Sequence, residues 1–222
     1  MSASQSCATW VGHAGLCWLV TVMPAIAATV DVTVQDRKGQ PLADVVVSVL
    51  DIKQPLTTAK ATAIIDQRQR QFVPYVSVVQ TGTTVSFPNS DRVRHHVYSF
   101  SPARHFDLQL YAGQPSKPVT FDQAGVAVLG CNIHDWMLAY VKVVSTPFFA
   151  KTDVRGQATV SNVPKGRYQL EYWHPQLDKP VQRVIEVGQA DIAQRETLGL
   201  TLPDSRQSMP VMNHAYPSSA GY

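Results

Sequence analysis

Charge is scarce in this chain of 222 residues: only 16% are Asp, Glu, Lys or Arg, and none of these occurs before Asp31. Nineteen basic against sixteen acidic residues leave a net charge of +3, too little for a dedicated nucleic-acid binder. At 45% hydrophobic, the composition is also wrong for a disordered protein. Long apolar runs are missing as well. The one apolar segment of the uncharged start, Ala14 to Met23, is half of the ~20 residues needed to span a bilayer, and no later run could anchor the chain. Pro24 and the small-x-small triplet Ala25-Ile26-Ala27 follow it, so residues 1–27 read as a cleaved secretory signal. The mature protein is then exported, periplasmic or otherwise, with no integral membrane segment.

Cysteine is the next scarcity. Removing the signal takes Cys7 and Cys17 with it and leaves Cys131 alone, which excludes a disulfide within the mature chain. A lone thiol in an oxidising compartment is buried, paired with another chain, or held by a metal. Helical periodicity is absent too: no window keeps it over three turns. Instead β-branched runs such as Val30–Val34, Val45–Val49, Val76–Val79, Val126–Leu129 and Tyr140–Val144 alternate with turn chemistry at Lys38-Gly39, Thr81-Gly82, Ala112-Gly113 and Arg155-Gly156. The fold class expected is all-β.

The segment from Ala61 to Val144 holds about eight strand candidates at the spacing of a Greek-key sandwich, which leaves the strands on either side surplus to it. Val32–Asp51 reads as a hairpin with a Gly-x-Pro-Leu turn, and Lys151–Trp173 carries an Asp-x-x-Gly and a Pro-x-Gly-x-Tyr turn. Together these outer pieces resemble the small prealbumin-type, carboxypeptidase-regulatory-like β-sandwich. The expected organisation is a central domain over residues 52–145, inserted into or packed on a small split β-domain of residues 28–51 and 146–202. The alternative is a first hairpin that merely extends the central domain. Residues 203–222, polar and rich in Pro and Ser, read as a disordered tail.

Cys131-Asn-Ile-His134-Asp-Trp-Met137 places a thiolate, an imidazole and a thioether at steps of three directly after a strand. On a strand such residues face opposite sides, so they converge only if the chain curls after Cys131. A further imidazole stands 36 residues upstream in Asp91-Arg-Val-Arg-His95-His96-Val97-Tyr98. Two His, one Cys and a weak Met form a donor set that suits copper, since thiolate and thioether favour Cu(I) and imidazole both oxidation states. Simple alternation would place His96 with Tyr98 and Phe100 on an apolar face, and His95 and His96 cannot both point inward on a regular strand. The other readings are Cys131 as a small buried apolar residue, or as the nucleophile of a Cys-His pair; the latter lacks an oxyanion donor and an orienting third group. His105 and His174 read as surface or core histidines, and Met209, Met212 and His214 as part of the solvated tail.

These residues carry a resemblance to the cupredoxins, nearest the amicyanin, pseudoazurin and plastocyanin branch. The matching stretches are Phe72-Val-Pro, Thr81-Gly-Thr-Thr-Val85-Ser-Phe87-Pro-Asn89, His95-x-Val97, and Phe121-x3-Gly125-x5-Cys131-x2-His134-x2-Met137. The whole chain resembles exported plastocyanin-like proteins known as methylamine utilization proteins. The resemblance implies a Greek-key cupredoxin sandwich with one type 1 copper ion, held by His95, Cys131, His134 and Met137. It also implies a monomeric electron carrier rather than an enzyme, cycling Cu(II)/Cu(I) with a redox partner protein. In that family the C-terminal ligand His is the docking port, which would be His134, with Trp136 beside it. Asp135 points to a basic partner or to docking that tolerates salt. Copper storage or delivery in the cell envelope, and a non-redox envelope interaction module, are the competing functions. No residue here performs amine chemistry.

Overall fold

Along β1 (Ala27–Gln35) every second residue is buried, from Ala28 through Val30 and Val32 to Val34. This is the period-2 pattern of a strand with one face on a core. The computed structural model describes residues 27–52, 61–115 and 117–201, so the expected signal, with Cys7 and Cys17, and the expected tail lie outside the described residues; Ala27, the last residue of that signal, opens β1. The protein is all-β, and there is no helix among the described residues. It follows that no described helix is long and apolar enough to cross a membrane.

The strands from the two ends of the chain pair with each other. β2 is Val46–Leu50, and after the central strands come β13 (Phe149–Lys151), β14 (Gln157–Pro164), β15 (Gly166–Trp173), β16 (Val181–Val187) and β17 (Ile192–Thr197). β1 lies between β14, antiparallel, and β17, parallel, while a second sheet runs β13-β2-β15-β16. Side chains of both sheets share one core that includes Val32, Val47, Val160, Leu170 and Ile185.

The expected hairpin of β1 with β2 does not form, since the two strands belong to different sheets. The turn itself is tight: Asp36 Oδ1 accepts from the Lys38 and Gln40 N–H groups, at 2.8 Å each, around the left-handed Gly39. Beyond it the chain crosses over at Asp44, also left-handed. The physical reason lies in β2, where Val46, Val47, Ser48 and Val49 are all buried. A strand covered on both faces has to sit inside stacked layers, and pairing beside the half-exposed β1 would leave one of its faces in water. At this same end of β1, Gly156 is required, because a Cβ there would stand 2.3 Å from the Val34 carbonyl oxygen.

The middle of the chain supplies β3 (Thr62–Ile64), β4 (Asp66–Arg68), β5 (Gln71–Val73), β6 (Val76–Gln80), β7 (Thr83–Ser86), β8 (His95–Ser101), β9 (Arg104–Tyr111), β10 (Val119–Phe121), β11 (Gly125–Gly130) and β12 (Leu138–Val144). They form sheets ordered β10-β7-β3 and β6-β12-β11-β8-β9, with β4-β5 as a separate hairpin. These strands enclose their own core, among it Phe87, Val97, Phe121, Leu129 and Val141.

A third, smaller apolar cluster joins the two groups: Val46 and Trp173 from one meet Val76 and Val144 from the other. Around it, Lys142 pairs with Glu171 at 2.9 Å, and its ammonium lies 5.6 Å from the centre of the Trp173 ring. Lys151 reaches both the Asp44 carboxylate (2.5 Å) and the Val76 carbonyl (2.7 Å). Trp173 is the largest side chain in this contact, so Trp173→Ala should lower stability by about 3 kcal/mol through the cavity it leaves. Val184→Ala, at an exposed site, should stay within about 0.5 kcal/mol. Urea unfolding of both variants measures the difference.

Candidate metal centre

β11 and β12 pair as far as Gly130 opposite Leu138, so residues 131–137 leave the ladder as one closed loop. Within it the Met137 N–H donates to the His134 carbonyl at 2.9 Å. That turn curls the loop back on itself, which lets side chains three residues apart converge. Gly130 allows the loop to start close against β8: it stands opposite Tyr98, and a Cβ there would lie 2.6 Å from the Tyr98 ring.

The loop brings Cys131 and His134 to His95, the first residue of β8. Their metal-binding atoms all lie within 4.8 Å of one another, and the two imidazole rings are 4.9 Å apart. His95 is fully buried, Cys131 is 4% exposed, and His134 is partly open to solvent. Met137, the remaining ligand expected from the sequence, is buried at 2% in the same core cluster as Cys131.

The tautomer of His95 is set by a hydrogen bond. Its Nε2 lies 2.8 Å from Asp91 Oδ2. A carboxylate can only accept, so Nε2 carries the proton and Nδ1 the lone pair. Among the described residues, Nδ1 of His95 is buried without a hydrogen-bond partner, and so is Nδ1 of His134. A buried polar atom left in this way costs about 1–3 kcal/mol. Two such nitrogens in a cluster with one thiol fit a metal ion of the borderline or soft class, for which imidazole and thiolate are the preferred donors. Burial, and then the electrostatic influence of His95 and Arg70, hold the His134 imidazole below its ordinary pKa against the opposing pull of Asp91. The neutral ring is the form a metal binds.

Asp91 ties this centre to a distant turn. Its carboxylate also accepts from the backbone N–H groups of Gln69 (2.7 Å) and Arg70 (2.8 Å). These two residues form the tip between β4 and β5, and both have left-handed φ, 53° and 57°. Neither is a glycine, so the conformation needs compensation, and the carboxylate supplies it. Burial pushes the Asp91 carboxyl up, but the bonds from Arg70, His95 and Gln69 outweigh it and hold the group below the usual carboxylate range. The loop carrying Asp91 is fixed in turn by Asn89. The Asn89 Nδ2 donates to the Val93 and Tyr111 carbonyls, both at 2.9 Å, while its Oδ1 accepts from the Asp91 N–H. Under it, buried Gln67 donates to the Tyr111 hydroxyl, which donates to the Phe87 carbonyl. Burial raises that hydroxyl to about 12, so it remains a donor at neutral pH.

His96 lies outside the three-residue group. It is buried, its Nε2 bonds to Asp107, and its ring packs on Tyr98. Both histidines are buried because pairing slips at this point: His95 faces Tyr111 and Val97 faces Leu108, so two steps on β8 meet three on β9. Such a bulge breaks simple alternation. His105 packs on Phe100 near the surface. His174 is buried elsewhere, accepting the Gln176 N–H. Met209, Met212 and His214 lie outside the described residues. Sequence reasoning gave no role to Asp91 or to the Gln69-Arg70 turn. The only signal was an acid four residues before His95, and the turn is more than twenty residues away from it.

No protein-family model matches the chain, and no curated protein matches it. Several solved structures are similar to part of it. A purple cupredoxin from Nitrosopumilus maritimus is 22% identical over 37% of this chain and 99% of that one, with a TM-score of 0.33. A reduced, Cu(I) form of an amicyanin mutant at pH 4 is 19% identical over 44% of this chain and 98% of its own, at 0.35. The Cu-containing nitrite reductase (NirK) from Thermus scotoductus SA-01 is 23% identical over 45% of this chain, at 0.36, and the match spans a quarter of that enzyme's length.

The role of Asp91 can be measured directly. Asp91→Ala should weaken metal binding by about 10–100-fold, the usual effect of losing the partner that orients a ligating histidine. Competition for Cu(II) against a chelator of known affinity reads this, and unchanged affinity would remove Asp91 from the centre.

Proposed function

We propose that this is an electron-transfer protein that binds one copper ion between His95, Cys131 and His134, with Met137 as a weak fourth ligand in a type 1 site. The observation that carries the reading is the cluster itself, with two unpartnered Nδ1 atoms in the same group as a buried thiol. A bound copper ion supplies a one-electron Cu(II)/Cu(I) couple. The chain's own residues do the rest. Asp91 presents the lone pair of His95 by holding its other nitrogen. The core around Cys131 and Met137 keeps water from the thiol. The loop between two paired strands limits how far the ligands move when the charge changes, and His134 is the ligand that reaches toward solvent.

The reading extends to the whole chain. Residues 52–145 are the cupredoxin-like copper module, inserted into a second β-sandwich made of residues 28–51 and 146–202. The pairing of β1 and β2 with the strands after residue 148 supports this division. The protein acts as a monomeric carrier rather than an enzyme, exported by its N-terminal signal.

Adding Cu(II) to the metal-free protein should produce an intense visible band from thiolate-to-copper charge transfer. Cys131→Ser and His95→Gln should abolish it, whereas His96→Gln should leave it in place. A colourless protein that binds copper tightly would overturn the carrier reading. Met137→Leu should keep the colour but raise the reduction potential, because the thioether donates to Cu(II). Voltammetry of the two forms checks the direction.

A further inference from the structure

The surface beside His134 has an unusual charge. A concavity next to the centre is lined by Gln69, Arg70, Ser90, Asp91, Arg92 and Val93. Its one carboxylate is already engaged by the Gln69 and Arg70 N–H groups and by His95. Arg70 and Arg92 are exposed, as is Arg94 next to them in sequence, and none of the three belongs to an ion pair among the described residues. Asp91 bonds to the Arg70 N–H and to His95, whose ring lies 4.9 Å from that of His134, so the concavity adjoins the solvent-reaching ligand. Trp136 packs on that same ring, centroids 5.1 Å apart. Ile133 and Trp136 are each 48% exposed, and Val93, in the wall of the concavity, is exposed as well.

A half-exposed apolar centre with unpaired guanidinium groups beside it is the surface of a transient protein contact. Arginine selects carboxylates there through its planar, bidentate donors. We propose that this face docks an acidic protein, whose carboxylates meet Arg70 and Arg92 while its apolar side chains cover Ile133 and Trp136. The inference rests on the copper reading for its purpose, since it names the partner class of that same site. Asp135, the one carboxylate of the ligand loop, argues for a basic partner, but three unpaired arginines outweigh it. The concave wall favours a protruding protein surface over a flat bilayer.

The test is a titration of the isotope-labelled full chain with an oligo-glutamate peptide and, separately, an oligo-lysine peptide, followed by amide NMR shifts. Oligo-glutamate should move residues 69–70, 90–94 and 133–136 and little else, and oligo-lysine should leave them unmoved. The double variant Arg70→Glu/Arg92→Glu should bind oligo-glutamate at least about tenfold more weakly. Salt of about 0.5 M should suppress the shifts, as the Debye length then falls well below 10 Å. Shifts elsewhere on the surface, or binding untouched by the double variant, would overturn the proposal. So would vesicles of phosphatidylglycerol that engage this face while oligo-glutamate does not. Adding Cu(II) to the same samples keeps the two readings apart. A double variant that retains the visible band has lost docking and kept its metal centre. An unsubstituted protein that stays colourless would fail the copper reading while the docking result stands.

Discussion

The hydrogen bond from His95 to Asp91 decides which nitrogen of a buried imidazole remains available, and the candidate centre is built around that choice. Without an acceptor at Nε2, the His95 ring could turn or change tautomer, and the cluster would lose one of its fixed donors. The same carboxylate compensates the left-handed tip at Gln69 and Arg70, so one side chain orders a metal-binding residue and a distant turn together. Asn89, Gln67 and Tyr111 hold that carboxylate's loop in place from below. The result is a polar network inside an otherwise apolar core. Such a network rigidifies when its members are paired. Among the described residues, the buried polar atoms of this network and cluster left without a partner are the Nδ1 atoms of His95 and His134 and the Oε1 of Gln67.

A second constraint acts on the strand that leaves the ligand loop. β12 starts at Leu138, directly after Met137, and its next outward residues, Tyr140 and Lys142, contact Trp173 and Glu171 of the flanking sheet. The flanking strands therefore cover part of the face behind the site. The ion pair of Lys142 and Glu171 is mostly buried, so it serves more to set the register of this contact than to add net stability.

The loop from Cys131 to Met137 was legible because its chemistry is local. Three donor residues at steps of three, following a β-branched run, can meet only if the chain curls after the first of them. The all-β class was legible for a similar reason, in the alternation of Val30, Val32 and Val34. Pairing was not. The short segment between β1 and β2 looks like a hairpin connection, and only the burial of β2 on both faces shows that it joins two layers. The neighbouring histidines were ambiguous for a related reason: the bulge that buries both arises from the pairing of β8 with β9, which composition does not encode.

By itself the sequence determined which chemistry is available: one cysteine beyond the uncharged start, and a thiolate, imidazole and thioether at ligand spacing after a strand. It did so because residue type and short-range spacing act over a few bonds. Only the tertiary structure decided the rest. It brought His95 rather than His96 to the thiol, made Asp91 the group that orients it, and tied the remote Gln69-Arg70 hairpin tip to that carboxylate. It also joined the two ends of the chain in shared sheets. These outcomes depend on hydrogen bonds and burial between segments tens of residues apart, where geometry is set by the packed core rather than by the neighbours in the chain.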